Sequence, residues 1–352
     1  MRKRLIAQTA PLQVYEWPPV VQFSGYTSEF ARFLQATAHR QHSRLSDLLS
    51  HDWNQSGKFL NQALATVYAY IYGYKDSPCH LRTYPKLEIQ LQQAKIMIEE
   101  AYLNQWLPIK PLPEFDHVKA GYAYLERYVE ANIGVGHALY DYLCNQASPE
   151  AIKAFLRLEV CRNEVVDDEV ALLVCGLQGN LKRMVSANLW DECGNGDLMR
   201  FHTYWLRRLL DHTEDWDNLK CYRQTEKPWF ASITSNTFNA LLTRPGRAYQ
   251  AYGCFTTTEA WAAPHFEKLL KGIARTDLSH PDIDLYFRAH CNIDPFHSRE
   301  LLDGILEQVP PLTIPELREI VLGAHIAVAA GVSQYRLILD YLHHIDTKEV
   351  AS

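Results

Sequence analysis

The chain contains 352 residues, of which 47% are hydrophobic and 22% charged, a composition typical of soluble globular domains and not of a disordered chain. Its formal net charge of −6, from 35 basic and 41 acidic residues, gives no electrostatic reason to expect a nucleic acid as partner. The eight cysteines form no CxxC pair, which favours reduced thiols over a disulfide framework. The N-terminal residues lack the apolar stretch of a signal peptide, and the longest apolar run, residues 321–332, is too short to span a membrane. We therefore expect a soluble, cytoplasmic protein without a membrane partner.

Apolar residues recur at helical spacing along most of the chain, whereas alternating patterns typical of strands are essentially absent. Two helix starts are marked by their capping chemistry. Ser148 precedes Pro149, and Thr313 precedes Glu316 at the spacing of a capping box. The pattern predicts an all-α bundle with helices over residues 60–74, 86–107, 118–144, 150–174, 180–190, 198–210, 237–242, 257–273, 283–308 and 315–342.

A proline-containing stretch over residues 107–114 separates a region rich in Gln, His and Ser from the rest of the chain. We interpret it as a linker between an N-terminal helical extension, residues 1–106, and a main bundle, residues 115–352. The alternative is an ordinary loop between two helices, because such connections are usually short.

The most informative motif places His290, Asp294 and His297 at positions i, i+4 and i+7. On an α-helix these three side chains lie within roughly 60° of arc, so they converge on one point. Two imidazoles and one carboxylate are ligands that suit Fe(II) with open coordination positions. The alternative is a polar helix surface that faces solvent.

Two further acids strengthen the metal hypothesis. Glu192 lies ten residues before His202, across a glycine-rich break, and both can reach one centre only if the helix unwinds near Gly194 and Gly196. The alternative is a helix end capped at those glycines. Glu259 lies in an otherwise apolar helix, where a buried carboxylate needs a compensating cation, although a capping role near a helix start is also common.

Upstream, the segment from Phe155 to Glu164 offers one more acid. If the helix continues, its inward face holds Phe155, Glu159, Val166 and Val170. Glu159 fits that face better than Glu164.

These residues together resemble the haem-oxygenase-like diiron oxidase and oxygenase superfamily, in which a helical bundle holds two irons in place of haem. The family's pattern is a Glu on the first core helix, a Glu and a His on the second, a Glu on a middle helix, and His-x3-Asp-x2-His on a late helix. The matching positions here are Glu159 or Glu164 (Glu159 being favoured), Glu192, His202, Glu259, His290, Asp294 and His297.

The resemblance implies a haem-oxygenase-like bundle that binds two Fe(II) ions and uses O2 as cosubstrate. It also implies oxidation of a small, amine or amino-acid-derived substrate by N-oxygenation, desaturation or oxidative C–C cleavage. An external electron donor and a homodimer formed through the N-terminal helices are further expectations. A haem-dependent or cofactor-free enzyme of the same fold, and a non-catalytic iron-binding or interaction protein, are the alternatives.

Three basic residues have both a functional and an ordinary interpretation. Arg288 and Arg336 lie near the motif or on the last helix, where either can bind a substrate carboxylate, but we favour surface roles for both. His325 is interpreted as a core histidine with satisfied hydrogen bonds rather than as a base near the metals.

Overall fold

The computed structural model describes residues 27–72, 84–132, 138–213, 222 and 227–349, and within these ranges it contains helices and no strand. The predicted all-α class is therefore confirmed. The α-helices are α1 (Thr27–Gln35), α2 (Ala38–Leu49), α3 (Trp53–Tyr72), α4 (Pro85–Ala101), α5 (Val118–Ala131), α6 (Ala138–Asn145), α7 (Pro149–Asn163), α8 (Val166–Gly176), α9 (Gly179–Glu192), α10 (His202–Thr213), α11 (Ile233–Leu242), α12 (Ala248–Arg275), α13 (Pro281–Leu306) and α14 (Ile314–Glu349).

The two predicted helix starts have the expected caps. Ser148 Oγ accepts a hydrogen bond from the backbone N–H of Ala151 at 3.1 Å, and Pro149 is the first residue of α7. Before α14, the carboxylate of Glu316 accepts from both the backbone N–H and the hydroxyl of Thr313, each at 2.7 Å. These contacts satisfy donors that a helix start otherwise leaves unpaired.

Three predicted helices are interrupted, which corrects the expectation of single long helices. Within residues 198–210 the chain leaves the helical path at Phe201, with φ −57° and ψ 131°, and α10 begins at His202. Within residues 118–144, α5 ends at Ala131 and α6 begins at Ala138, and residues 133–137 lie outside the described chain. Within residues 150–174, α7 ends at Asn163 because Val165 adopts a non-helical conformation, with φ −130° and ψ 19°. Val166 and Val170 therefore do not continue the helix face of Phe155 and Glu159.

The centre of the bundle is α12, whose main packing partners are α13 and α14. Two glycines allow α12 and α14 to approach closely. A Cβ atom on Gly253 would lie 1.8 Å from the carbonyl oxygen of Ile320, and one on Gly323 would lie 1.9 Å from that of Gln250. This close approach fixes α12, which carries Glu259, in the middle of the bundle.

The described N-terminal helices share a hydrophobic core with the main bundle. Phe33, Leu60 and Tyr102 belong to the same buried cluster as Tyr252 and Leu317. Polar contacts tie the two regions as well: the hydroxyl of Tyr102 donates to the carbonyl oxygen of Ile233 at 3.0 Å. The extension is thus packed onto the bundle, and dimerisation through it stays a prediction.

The closing helix is long and apolar enough, by length and composition alone, to cross a membrane. Its most apolar window is 72% buried inside the protein, as expected for the core helix of a soluble bundle.

Candidate metal centre

The first two candidate ligands flank a turn in which the helical path is broken. Glu192 is the last residue of α9 and His202 is the first of α10. Between them Gly194, Asn195 and Gly196 all have positive φ angles, of 56°, 56° and 85°. Glycine adopts this left-handed conformation without steric cost, and Asn is among the residues that tolerate it best. The unwinding required for both side chains to reach one point is therefore present, and Glu192 Oε2 lies 2.8 Å from His202 Nδ1.

One buried group consists of Glu192, His202 and His290, whose potential ligand atoms all lie within 4.8 Å of one another. The orientation of the His290 ring is fixed by its own helix. Its Nδ1 lies 2.7 Å from the carbonyl oxygen of Tyr286, which can only accept a hydrogen bond. Nδ1 therefore carries the proton, and Nε2 of His290 is left free to bind a metal.

A second group consists of Glu259 from α12 with Asp294 and His297 from α13, again within 4.8 Å. His297 Nδ1 lies 3.6 Å from Glu259 Oε2 and 3.9 Å from Asp294 Oδ1. The Asn188 amide donates to Glu259 Oε2 at 3.3 Å, so α9 also contacts this group. His290 and Asp294 are one helical turn apart, about 6 Å along the axis, so the two groups are neighbours.

Four buried atoms of these groups have no hydrogen-bond partner: Glu192 Oε2, His202 Nδ1, Asp294 Oδ2 and His297 Nδ1. The 2.8 Å contact between Glu192 and His202 does not have the geometry of a hydrogen bond. A buried polar atom without a partner costs about 1–3 kcal/mol. Since all four are nitrogen or carboxylate lone-pair donors, metal cations fit the site and would satisfy them.

Burial and mutual repulsion strongly perturb the protonation of this site. Burial, together with the charges of Glu259 and Glu192, raises the pKa of Asp294 well above its ordinary value. Burial and the neighbouring His202 lower the pKa of His290 to about 4. Burial alone would raise the pKa of Glu192, but His202, His290 and His297 outweigh it and lower that pKa. Clustered carboxylates whose charges repel one another are stabilised by a bound cation.

The two alternatives for the first-helix acid lie outside both groups. Glu164 is the C-cap residue of α7. Glu159, half-buried on α7, accepts a hydrogen bond from Asn163 at 3.3 Å, and burial raises its pKa to about 7. The charge of Glu159 acts on Tyr286, as do those of Glu192 and Asp294. The assignment of a first-helix ligand, with Glu159 favoured, stays a prediction.

Pro295 lies inside α13, which runs unbroken from Pro281 to Leu306. Proline removes one helical hydrogen bond and crowds the carbonyl four residues earlier, at a cost of about 3 kcal/mol. The helix that carries three of the candidate ligands is therefore held by its packing on α12 rather than by its own backbone alone.

The three basic residues considered from the sequence have ordinary surroundings. Arg288 is largely exposed and pairs with Asp284 at 3.0 Å, and the exposed Arg336 lies over the Trp53 ring. His325 is bonded to the Tyr124 hydroxyl at 2.9 Å and to the Lys110 carbonyl oxygen at 3.1 Å. It is thus a core histidine with satisfied nitrogens, as expected.

The polar residues that hydrogen-bond to the candidate ligands were not predicted from the sequence. Asp191 is bonded to His297, and Asn188 to Glu259, across the interface between α9 and its neighbours. Their positions on α9, one helical turn or less from Glu192, were the signal that could have indicated them. Arg162, whose guanidinium donates to the buried Glu169 at 3.0 Å, was not predicted either.

A third cluster, His212, His280 and Asp282, joins the end of α10 to the start of α13 near the surface. It differs from the other two groups because its potential ligand atoms already form hydrogen bonds or ion pairs. His212 Nε2 lies 2.7 Å from Asp282 Oδ2, Arg208 pairs with the other carboxylate oxygen, and His280 Nδ1 accepts from the backbone N–H of Asp282. We interpret it as an ionic contact between helix ends.

Comparisons with known proteins agree with this architecture. Two crystal structures of a CADD-like protein of unknown function from Nostoc punctiforme PCC 73102 match part of this chain, and the one with the higher TM-score supports the likeness in fold. One is 14% identical with a TM-score of 0.50, covering 63% of this chain and 98% of that chain. The other is 12% identical with a TM-score of 0.48, covering 63% and 96%. No curated protein matches the sequence.

The sequence profile of a family described as iron-containing redox enzymes matches residues 153–332, which include all six residues of the two buried groups. The match spans half of the chain. The protein therefore belongs to the iron-containing redox enzyme family and has its all-α, haem-oxygenase-like fold.

Proposed function

We propose that this protein is a non-haem diiron enzyme that uses O2 to oxidise a small organic substrate. The observation that carries the proposal is the pair of adjacent buried groups, Glu192–His202–His290 and Glu259–Asp294–His297, with their four orphaned ligand atoms. Each group offers imidazole and carboxylate ligands and no thiolate, a donor set that suits Fe(II).

Two metals are favoured over one because the potential ligands form two separate sets of three. Glu192 belongs to the first set, yet its charge acts on Asp294, and that of His297 acts on Glu192. Glu192 is therefore within electrostatic reach of both groups and would contribute its negative charge to cations bound in either. A haem would need one axial histidine and gives no reason for two buried acids and a partly buried third at the same place.

When bound, two Fe(II) ions would supply the electrons and the Lewis acidity for the reaction of O2 with substrate. The chain supplies the surroundings. Aromatic rings pack around the histidines: Tyr286 lies 4.2 Å and Phe266 5.6 Å from the His290 ring, and Trp205 lies 4.8 Å from the His202 ring, between centroids. These rings contribute to the burial of the two histidines, since His202 is 2% and His290 6% exposed.

For the substrate, we propose a small amine or amino-acid derivative, which undergoes N-oxygenation, desaturation or oxidative C–C cleavage. The support for this class is the family resemblance of the ligand pattern. A reaction that takes more electrons than the substrate provides requires an external electron donor.

The test is an anaerobic titration of metal-free protein with Fe(II), followed by mixing with O2 while visible absorption is recorded. We expect two Fe(II) per chain and a change of absorption on mixing in the wild type. The Asp294→Asn variant should bind only one of the two ions. The control variant His212→Gln, which changes the surface cluster, should bind both. Absence of iron binding would overturn the proposal. Binding of two ions without a reaction toward O2 would favour a storage or binding protein.

A further inference from the structure

Only one of the two ring nitrogens of His297 has a hydrogen-bond partner. Its Nε2 lies 3.0 Å from Asp191 Oδ2, whereas its Nδ1 has no hydrogen-bond partner and faces Glu259 and Asp294. Because a carboxylate oxygen accepts, Nε2 must carry the proton in this contact. The free lone pair of a neutral His297 is therefore on Nδ1, the nitrogen that points into the second group.

Asp191 is itself held in place by the turn that follows α9. The side-chain amide of Asn195 donates to Asp191 Oδ1 at 3.0 Å. Asn195 has a left-handed backbone, with φ 56°, between two glycines that also have positive φ. The turn that brings Glu192 to His202 thus also aims an amide at Asp191, and each Asp191 oxygen has one partner.

We propose that Asp191 is a positioning residue, which fixes the His297 ring so that Nδ1 binds the metal of the Glu259–Asp294–His297 group. The inference rests on the proposed function, since it assumes a metal in that group. Ligating histidines commonly donate their other N–H to a carboxylate, and loss of that partner typically weakens metal binding by about 10–100-fold.

His290, on the same helix, provides the contrast. Its Nδ1 donates to the Tyr286 carbonyl oxygen, so its metal-facing nitrogen is Nε2. The two histidines of α13 are therefore expected to bind through opposite nitrogens. One is oriented by its own backbone and the other by a side chain of α9.

The test uses Zn(II) as a diamagnetic probe in protein labelled with ¹⁵N-histidine, with ring nitrogens assigned by long-range ¹H–¹⁵N correlations. In the wild type we expect His297 to bind Zn(II) through Nδ1 and to keep its Nε2 proton, and His290 to show the opposite arrangement. Signals of His297 are assigned by their loss in His297→Gln.

Asp191→Ala should weaken Zn(II) binding in the second group by about 10–100-fold and expose the Nε2 proton to exchange. Asp191→Asn retains an acceptor oxygen and should restore the bound tautomer and most of the affinity. Asp197→Asn removes the same charge from the same turn, where Asp197 is exposed, and should match the wild type.

The outcomes separate the two proposals. If Zn(II) does not bind to the Glu259 group of the wild type, the proposed metal centre fails. If Zn(II) binds there but His297 uses Nε2, or if Asp191→Ala keeps wild-type affinity, only the positioning role is overturned. The His290 signals report in every variant whether the fold is intact.

Discussion

Glu192 and His202 lie 2.8 Å apart although nine residues separate them, because the intervening chain leaves the helical path and returns. Gly194, whose backbone is left-handed, lies at the start of this turn and directly next to the backbone of Arg200. A Cβ atom on Gly194 would lie 2.5 Å from the carbonyl carbon of Arg200. The spacing of the first metal group is therefore set by the backbone of the turn.

Gly194→Ala should disrupt this group. An alanine at φ 56° costs about 1–2 kcal/mol, and its Cβ would also displace the Arg200 backbone. We expect the variant to lower the melting temperature and to weaken Co(II) binding by the Glu192–His202–His290 group at least about tenfold. Gly246→Ala is the matched control, because nothing lies within 4 Å of its added Cβ. Equal Co(II) affinity in both variants would show that the turn does not set the ligand spacing.

Local motifs in the sequence predicted much of this arrangement. His290, Asp294 and His297 lie on one helix, where spacing alone determines a common face. Contacts between distant segments were not predictable in this way. The bond from Asp191 to His297 joins residues 106 positions apart, and it depends on how α9 packs against α13. The helix break at Val165 was missed because apolar residues recur at helical spacing on both sides of it.

The prediction that Glu159 rather than Glu164 acts at the metals can be tested by paired substitutions. Glu159 influences Tyr286, whose ring packs on His290, whereas Glu164 caps the end of α7. We expect Glu159→Gln to reduce Fe(II) affinity about tenfold or more, and Glu164→Gln to leave it unchanged. Anaerobic equilibrium titration measures both. A loss confined to Glu164→Gln would reverse the assignment, and no loss in either variant would leave six ligands.

Metal binding should stabilise the segment around Pro295. Without a cation, Asp294 lies among carboxylates that repel it, within a helix that proline has already weakened. Because metal-binding free energy adds to folding free energy, we expect amide exchange over residues 286–300 to slow on anaerobic loading with Fe(II). Residues 320–335 in the buried part of α14 serve as the internal control and should change little. Identical exchange of both segments with and without iron would contradict this prediction.

The stability of the protein should fall in mildly acidic solution in part through His325. Its Nδ1 donates to the Lys110 carbonyl oxygen, its Nε2 accepts from the Tyr124 hydroxyl, and its ring stacks on Tyr128 at 4.1 Å. Burial lowers the pKa of His325, and the charge of Lys110 lowers it further, against the opposing effect of the backbone hydrogen bond. The neutral ring is therefore favoured in the folded state.

The lower pKa of His325 in the folded state sets the direction in which stability changes with pH. Above pH of about 6.5 the ring is neutral in both states, so His325 has no pH-dependent effect. As the pH falls below that value, the unfolded state takes up the proton first, and the free energy of unfolding decreases until the lower folded-state pKa is reached. His325→Gln keeps a donor and an acceptor but does not titrate. It should be less stable than the wild type at pH 7.5, because the stacking on Tyr128 is lost, and the difference should narrow at pH 5.5. Urea unfolding of both proteins at the two pH values measures it, and a constant difference would show that His325 titrates alike in both states.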